Sequence, residues 1–294
     1  MVPVKSRVPV RIAAGAILLA TFALMPVASA KSFNDFKFPP ATSFPPADSL
    51  TYEIRVKGAK PPVLKPGEKP AKVHNGEGTI TTKLLTKGPY RKLEVLYSGT
   101  EPTGEELGYL AYMDAATLKP WGFTRHVTTT TGTQTLELTF DKGQIHQQVT
   151  GPGSVKSSRE ITNSGQFLLM PLLFLAGRGL VFEEGNLFTS LLLNPDSLSL
   201  QTPIITISGK EVVPVPAGIY ECWKVEYKLG QNTEWGYYAV KNPRLVVKYE
   251  TSTREWLLKK HNLPDPNKPK AKPRPKPKPT VINPDAGKGP GPWK

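Results

Sequence analysis

Histidine and cysteine, the side chains that most often bind metals or act as nucleophiles and bases, are few and scattered in this sequence. The four histidines are His74, His126, His146 and His261. They show neither His-x-His nor His-x-x-x-His spacing, the patterns that aim two imidazoles at one metal ion. His126 and His146 fall in neighbouring predicted strands and could meet across a sheet, but we favour two solvated strand residues. The sequence therefore predicts no metal site.

The acidic and hydroxyl side chains also lack a catalytic arrangement. Glu105-Glu106 and Glu183-Glu184 are adjacent pairs in predicted loops. Such neighbours do not place a carboxylic acid of raised pKa beside an ionised partner unless a cleft surrounds them. A Gly-x-Ser-x-Gly nucleophile motif and a glycine-rich phosphate loop are both absent from the sequence. We therefore expect a protein that is not an enzyme and that uses no cofactor.

The only cysteine, Cys222, alternates with Tyr220 and Lys224 in a strand-like run. A single cysteine excludes an intramolecular disulfide, so stability must come from an ordinary hydrophobic core. One interpretation of Cys222 is a reactive or intermolecular thiol. The other, which we favour, is a small buried apolar residue.

The first 30 residues have the three parts of a secretory signal peptide. Lys5, Arg7 and Arg11 form a basic leader, residues 12–24 are almost purely apolar, and Ala28-Ser29-Ala30 supplies a small-x-small cleavage site. A membrane anchor, the alternative, needs an apolar run of ~20 residues, which this segment lacks. We expect cleavage between Ala30 and Lys31 and a periplasmic or secreted protein without a transmembrane segment.

The C-terminal residues 263–294 alternate proline with basic residues. Proline at near-alternate positions prevents helix and sheet pairing and favours an extended, disordered polyproline II form. The basic residues of the alternating run are Lys268, Lys270, Lys272, Arg274, Lys276 and Lys278. Such a tail could bind an anionic envelope polymer or lipid head groups, or it could serve only to keep the protein soluble.

The net charge of +14 is concentrated in the leader and the tail, so the body of the chain is only mildly basic. A nucleic-acid-binding body would need a dense basic face, and we therefore expect no nucleic acid partner. Residues 31–48, rich in Phe and Pro, are predicted to be an extended segment that leads into a β domain over residues 49–262. A Pro- and Gly-rich loop at 58–76 interrupts this domain.

Alternating apolar and polar residues dominate the predicted β domain. Residues 50–57 alternate strictly, as expected for a strand with one buried face. Glycine-containing turns at 141–143 and 209–210 predict hairpins, the first with a three-residue loop. The later strand-like segments are residues 79–85, 92–97, 107–114, 121–130, 135–140, 144–150, 204–208, 211–215, 219–229, 234–241 and 244–251.

Two apolar runs, residues 167–175 and 187–193, lack the period-two pattern of the strands. We interpret them as one or two short helices in a central crossover, with buried strands as the alternative, because short apolar runs do not separate the two. The predicted fold class is mainly β: a single curved antiparallel sheet or half-open barrel with this crossover, followed by the disordered Pro/Lys-rich tail.

Aromatic residues are frequent in the last predicted strands and are the candidate ligand-binding residues. Alternation places Trp223 and Tyr238 on the opposite face from Cys222 and Tyr237, so that both faces carry aromatic rings. A covered second face or a partner surface would explain this, although the rings could also simply fill the core. The candidates are Tyr220, Trp223, Trp235, Tyr237 and Tyr238.

The same region resembles a known family. The sequence VPVPAGIYECWKV at 213–225, the strand end Trp235-Gly236-Tyr237-Tyr238, the run NPRLVVKY at 242–249 and LTFD at 138–141 are similar to the exported bacterial family known as domain of unknown function 3108. The resemblance covers most of residues 49–251. It implies a periplasmic curved antiparallel β domain without established catalytic residues, similar in fold to carriers of lipid or lipoprotein acyl chains.

Two functions follow as hypotheses. The first is a non-catalytic periplasmic envelope protein that binds a hydrophobic ligand or lipid in the curved sheet. The alternative is a structural or envelope-integrity scaffold that binds a protein or an anionic polymer through its surface and basic tail. A carrier needs an enclosed apolar cavity with a mouth, and a scaffold does not.

Overall fold

The computed structural model describes residues 31–32, 44–58, 75–87, 90–154, 156–162 and 165–263, and most of them lie in β-strands. The strands of the first half are β1 (Lys31–Ser32), β2 (Ala47–Val56), β3 (Gly76–Lys87), β4 (Tyr90–Thr100), β5 (Glu106–Asp114), β6 (Pro120–Thr129), β7 (Gly132–Asp141), β8 (Gln144–Thr150) and β9 (Lys156–Thr162). Those of the second half are β10 (Leu168–Leu169), β11 (Leu187–Thr189), β12 (Leu192–Leu193), β13 (Leu200–Gln201), β14 (Ile204–Val215), β15 (Gly218–Leu229), β16 (Asn232–Ala239), β17 (Val246–Glu250) and β18 (Arg254–His261).

Fifteen of these strands form one continuous sheet that does not close on itself. Their order is β1-β11-β14-β15-β16-β17-β18-β2-β3-β4-β5-β6-β7-β8-β9. Every neighbouring pair is antiparallel except β1 with β11. The strands β2–β9 and β14–β18 are two meanders, joined where β18 pairs with β2. The predicted mainly β fold with a large open antiparallel sheet is confirmed.

The chain between the two meanders, residues 165–201, is called the central segment below. Its helical part consists of a 3-10 turn (Met170–Leu172), one turn of α-helix (Leu173–Ala176, α1) and a second 3-10 turn (Gly177–Gly179). The predicted crossover helix is therefore present over part of 167–175. The run 187–193 is not helical: it contains β11 and β12, and β12 joins β10 and β13 in a small three-stranded sheet. Leu192 and Leu193 are fully buried, which explains why their pattern did not alternate.

The central segment contacts one face of the large sheet, which is called the inner face below. At one side the Gln147 amide of β8 donates to the Pro195 carbonyl oxygen. At the other the Tyr238 hydroxyl of β16 donates to the Phe174 carbonyl oxygen at 2.6 Å. The sheet thus curves around the central segment, and the hydrophobic core lies between the two.

A buried ion pair fixes the end of the helical part to β2. The guanidinium of Arg178 lies 2.7 Å from the carboxylate of Asp48, and both side chains are fully buried. Thr82 on the neighbouring strand donates its hydroxyl hydrogen to Asp48. The ring of Phe44 lies 5.1 Å from the Arg178 guanidinium carbon. Asp48 is inner-facing because β2 alternates buried and part-exposed residues from Ala47 onwards.

Several predicted boundaries were wrong for identifiable reasons. The hairpin predicted at 209–210 is absent: β14 runs through it, and Gly209, with a φ of 114°, forms a bulge where the pairing with β15 shifts register. The actual turn lies between Val215 and Gly218. The loop predicted to have three residues at 141–143 has two, because Asp141 pairs directly with Gln144. The strands β9 and β18 were not predicted.

Candidate functional site

A cavity of about 280 Å³ lies between the inner face and the helical part of the central segment. Its wall is formed by β2–β5 from the first meander and by β16–β18 from the second, so both halves of the sheet contribute. The aliphatic lining residues are Ile80, Leu107, Met170, Pro171 and Val246. Six aromatic side chains, called the aromatic wall below, complete the apolar lining: Tyr52, Tyr97, Tyr109, Phe174, Tyr249 and Trp256.

Cross-strand pairing in the first meander positions two rings of the aromatic wall. Tyr97 and Tyr109 are direct partners on β4 and β5, and their rings stack at 4.9 Å between centroids. Tyr97 lies over Gly78 and Gly99, which face each other on β3 and β4. A Cβ atom on either glycine would come within 2.7 Å of the Tyr97 hydroxyl oxygen. The absence of side chains at this glycine pair is therefore what lets the tyrosine ring lie flat along the sheet.

The other four rings are held by pairing in the second meander or by a second contact. Tyr249 and Trp256 are partners on β17 and β18, with centroids 5.9 Å apart. Phe174 of the central segment contacts Tyr249 at 5.4 Å and closes the cavity from the opposite side. Tyr52 is fixed at its outer end, because its hydroxyl donates to the Val246 carbonyl oxygen at 2.9 Å. Each ring is thus held by sheet pairing or by a second contact, which makes the wall preformed.

One ion pair lies at the cavity. Arg254, at the start of β18, donates to Glu101, in the loop after β4. The Glu101 side chain is only 4% exposed and that of Arg254 is 32% exposed. Burial raises the pKa of Glu101, and the Arg254 charge opposes this shift. The two charges compensate each other at the wall.

A second carboxylate, Glu234, lies at the cavity without such compensation. It sits on the inner face of β16 and accepts a hydrogen bond from the Tyr249 hydroxyl. Burial raises the pKa of Glu234, and the Tyr249 hydrogen bond opposes the shift. Among the residues that the structure describes, Glu234 has no Lys, Arg or His within ion-pair distance. The cavity therefore combines an apolar wall with one carboxyl group that has no cationic partner among the described residues.

The five aromatic residues predicted to bind a ligand do not line this cavity. Trp223 and Tyr238 are inner-facing, and both contact Phe182 of the central segment, at 5.9 Å and 5.6 Å between centroids. Trp235 and Tyr237 face the other side of the sheet, where Lys224 lies 4.7 Å and 5.6 Å from their ring centroids. Trp223 and Tyr238 therefore lie on the face opposite to Trp235 and Tyr237, as the alternation of residues predicts.

The remaining predicted candidate, Tyr220, is half-buried near the turn of the β14–β15 hairpin, where its hydroxyl is 3.4 Å from the Ala217 carbonyl oxygen. The basic tail residues from Lys268 to Lys278 lie outside the described residues, as do the leader and most of the predicted extended segment and loop. The sequence analysis proposed none of the residues that line the cavity, among them Tyr52, Tyr97 and Tyr109 of β2, β4 and β5. The local signal for them was the glycine pair Gly78 and Gly99 beside an inward-facing Tyr97.

Other residues singled out from the sequence are accounted for by their surroundings. His126 and His146 lie on β6 and β8, which are separated by β7, so they do not face each other. His126 bonds to Thr135, and His146 lies 3.0 Å from Glu160. Cys222 is fully buried, and burial, reinforced by nearby Glu211 and Glu221, raises its pKa to about 12.

A metal-binding cluster and a membrane-spanning helix are both absent from the described residues. These residues contain no group of three or more His, Cys, Asp or Glu side chains arranged to hold a metal ion. In the same part of the chain, no helix has the length and hydropathy required to cross a membrane.

Comparison with known proteins gives a family and one distant structural likeness. The family model described as "Protein of unknown function (DUF3108)" matches residues 51–268. None of the curated proteins matches the chain. A solved structure, that of a beta-barrel-like protein of the domain of unknown function DUF1849 from Brucella abortus, aligns with a TM-score of 0.45 and 7% sequence identity, covering 74% of this chain and 98% of that one.

Proposed function

The chain belongs to the DUF3108 family of proteins of unknown function, and we propose that this member is a non-catalytic binding protein that holds a small hydrophobic molecule in the cavity. The observation that carries the proposal is the preformed apolar cavity between the inner face and the central segment. Ligand sites in proteins are typically concave, mostly apolar and supplied with a few polar groups that fix orientation. Glu101, Arg254 and Glu234 are such groups.

The size of the cavity limits the ligand. A volume of about 280 Å³ is close to the lower end of the range for ligand pockets, ~300–1,000 Å³. A lipid with several acyl chains would not fit, whereas one small amphiphile or part of a single chain would. Each buried CH₂ group contributes ~0.8 kcal/mol to binding, so even a short apolar body gives measurable affinity.

The leader-like residues 1–30 support a location in the periplasm or outside the cell. In that compartment a protein that shields a hydrophobic molecule from water would act as a carrier or a sensor. The basic tail, whose residues lie outside the described part, could bring the carrier to anionic head groups. Export, tail binding and the absence of catalysis are parts of this proposal.

The test is a binding titration with N-phenylnaphthylamine, a neutral fluorophore whose emission rises in apolar surroundings. We expect saturable binding, and native mass spectrometry should show one bound molecule per chain. Leu107→Trp places an indole in the cavity and should abolish the binding. Leu96→Trp is the matched control, because Leu96 is on the adjacent strand but 47% exposed on the other face.

Equal loss of binding in both variants, or in neither, would contradict the proposal. Thermal melts of both variants show whether the fold is kept, since only a folded Leu107→Trp variant reports on occupation of the cavity. If Leu107→Trp unfolds, Ile80→Phe fills the same space with a smaller increase in volume.

A second candidate, a scaffold that binds a protein partner, is favoured by one surface. At the β14–β15 hairpin, Val212 and Ile219 are 66% and 76% exposed, which is unusual for large apolar side chains. Val212 pairs with Glu221 and Ile219 pairs with Pro214, so the two lie two residue pairs apart along the ladder. A scaffold would keep its function in Leu107→Trp, whereas a carrier would lose it.

A further inference from the structure

The aromatic wall suits a positive charge as well as an apolar body. The faces of Tyr, Trp and Phe rings carry partial negative charge, and a cation within about 6 Å of a ring centroid is attracted to them. Six such rings surround about 280 Å³ here. Sites lined by several aromatic rings are the usual means by which proteins recognise substituted ammonium groups, whose charge is spread over apolar methyl or alkyl substituents.

The charged residues at the wall also favour a cationic ligand. Glu101 and Arg254 neutralise each other, and Glu234 adds a carboxylate that has only the Tyr249 hydroxyl as a partner among the described residues. A carboxylate next to an apolar cavity is costly unless it is paired. An anionic head group would repel the ionised form of Glu234 and a neutral one would leave Glu234 without a partner, whereas a cationic one would supply the missing countercharge.

We infer that the ligand held in the cavity is an organic cation, a substituted ammonium group attached to a small apolar body. This inference rests on the proposed function, because it requires that the cavity bind a ligand at all. The ammonium charge pairs with Glu234, and its substituents and the apolar body contact the aromatic wall. Tyr249 contributes twice, since its hydroxyl orients Glu234 and its ring forms part of the wall.

The isosteric pair phenyltrimethylammonium and tert-butylbenzene tests the charge alone. The two molecules have the same shape and differ only in a positively charged nitrogen in place of a carbon. Each is titrated as a competitor of N-phenylnaphthylamine on the full chain at low ionic strength. Glu234→Gln removes the carboxylate charge while its amide oxygen still accepts from Tyr249, so the fold is retained.

The matched control is Glu137→Gln, which removes the same charge from an exposed residue of β7, away from the cavity. We expect Glu234→Gln to weaken binding of phenyltrimethylammonium about five- to tenfold and to leave tert-butylbenzene within about twofold, as for one partly desolvated ion pair. Glu137→Gln should change neither affinity by more than about twofold.

The outcomes separate this inference from the proposed function. If tert-butylbenzene displaces the fluorophore and phenyltrimethylammonium does not, or if Glu234→Gln changes both affinities alike, the inference is overturned and the hydrophobic carrier remains. If neither probe nor the fluorophore binds, both are overturned. A selective loss of the cation in Glu234→Gln alone supports the inference.

Discussion

The buried pair of Asp48 and Arg178 allows the sharpest test of how the central segment is held. Both side chains are fully buried, and within the described part of the chain the three guanidinium nitrogens of Arg178 have no hydrogen-bond acceptor beyond the ionic contact with Asp48. Asp48→Asn removes that countercharge without changing the shape of the side chain. Breaking such a pair costs ~3–5 kcal/mol, because the remaining charge stays buried and uncompensated.

The double variant Asp48→Asn/Arg178→Met removes both charges and leaves an amide that still accepts from Thr82. Replacing a buried pair by uncharged groups of similar volume is often neutral or stabilising. We therefore expect each single variant to lower the free energy of unfolding by ~3 kcal/mol or more. We expect the double variant to lie within ~1 kcal/mol of the parent protein.

The assay is urea unfolding followed by tryptophan fluorescence, with the coupling energy taken from the complete double-mutant cycle. If each single variant costs less than ~1 kcal/mol, the pair is accessible to water and does not anchor the central segment. If the double variant is as unstable as the sum of the singles, the two residues act through separate contacts. Either result would refute the reasoning.

Two further predictions concern close packing. Gly177→Ala places a Cβ within 2.2 Å of the hydroxyl oxygens of Tyr227 and Tyr238, so we expect a loss of ~1–3 kcal/mol in thermal or urea unfolding. Tyr238→Phe in the same chain should recover part of it, and no loss in Gly177→Ala would contradict the packing described. Cys222, fully buried and with a pKa raised to about 12, should react with a thiol reagent at neutral pH only as fast as the protein opens. Rapid labelling of the native chain would show the thiol to be accessible.

The alternation of residue types predicted the fold because it reports directly on which face of a strand is buried. It correctly placed Trp223 and Tyr237 on opposite faces of the sheet, and it indicated an open antiparallel sheet. It failed at Gly209 because a glycine with positive φ serves equally well in a hairpin turn and in a bulge, and only pairing with β15 distinguishes them. The runs at 167–175 and 187–193 were ambiguous because each is short and is buried or half-buried along its whole length.

The candidate site was not predictable in the same way. The cavity requires that β18 lie next to β2, and nothing local to either strand specifies a partner ~200 residues away, as Trp256 is from Ile54. Without that pairing, Tyr249 and Trp256 could not be placed beside Tyr97. The residues proposed from sequence lie where aromatic rings are most frequent along the chain. In the structure Trp223 packs against Phe182, and Trp235 lies on the other face of the sheet beside Lys224.

The junction between β18 and β2 also determines when the site can come into existence. Each meander consists of hairpins between neighbouring segments, so most of their contacts are local and can form early. The junction joins the start of the domain to its end, and it can form only after Arg254–His261 has been synthesised. The cavity is lined by side chains from both meanders, so a molecule bound there would contact both at once. The ligand would therefore bind only the complete chain, and in doing so it would stabilise the last part of the sheet to assemble.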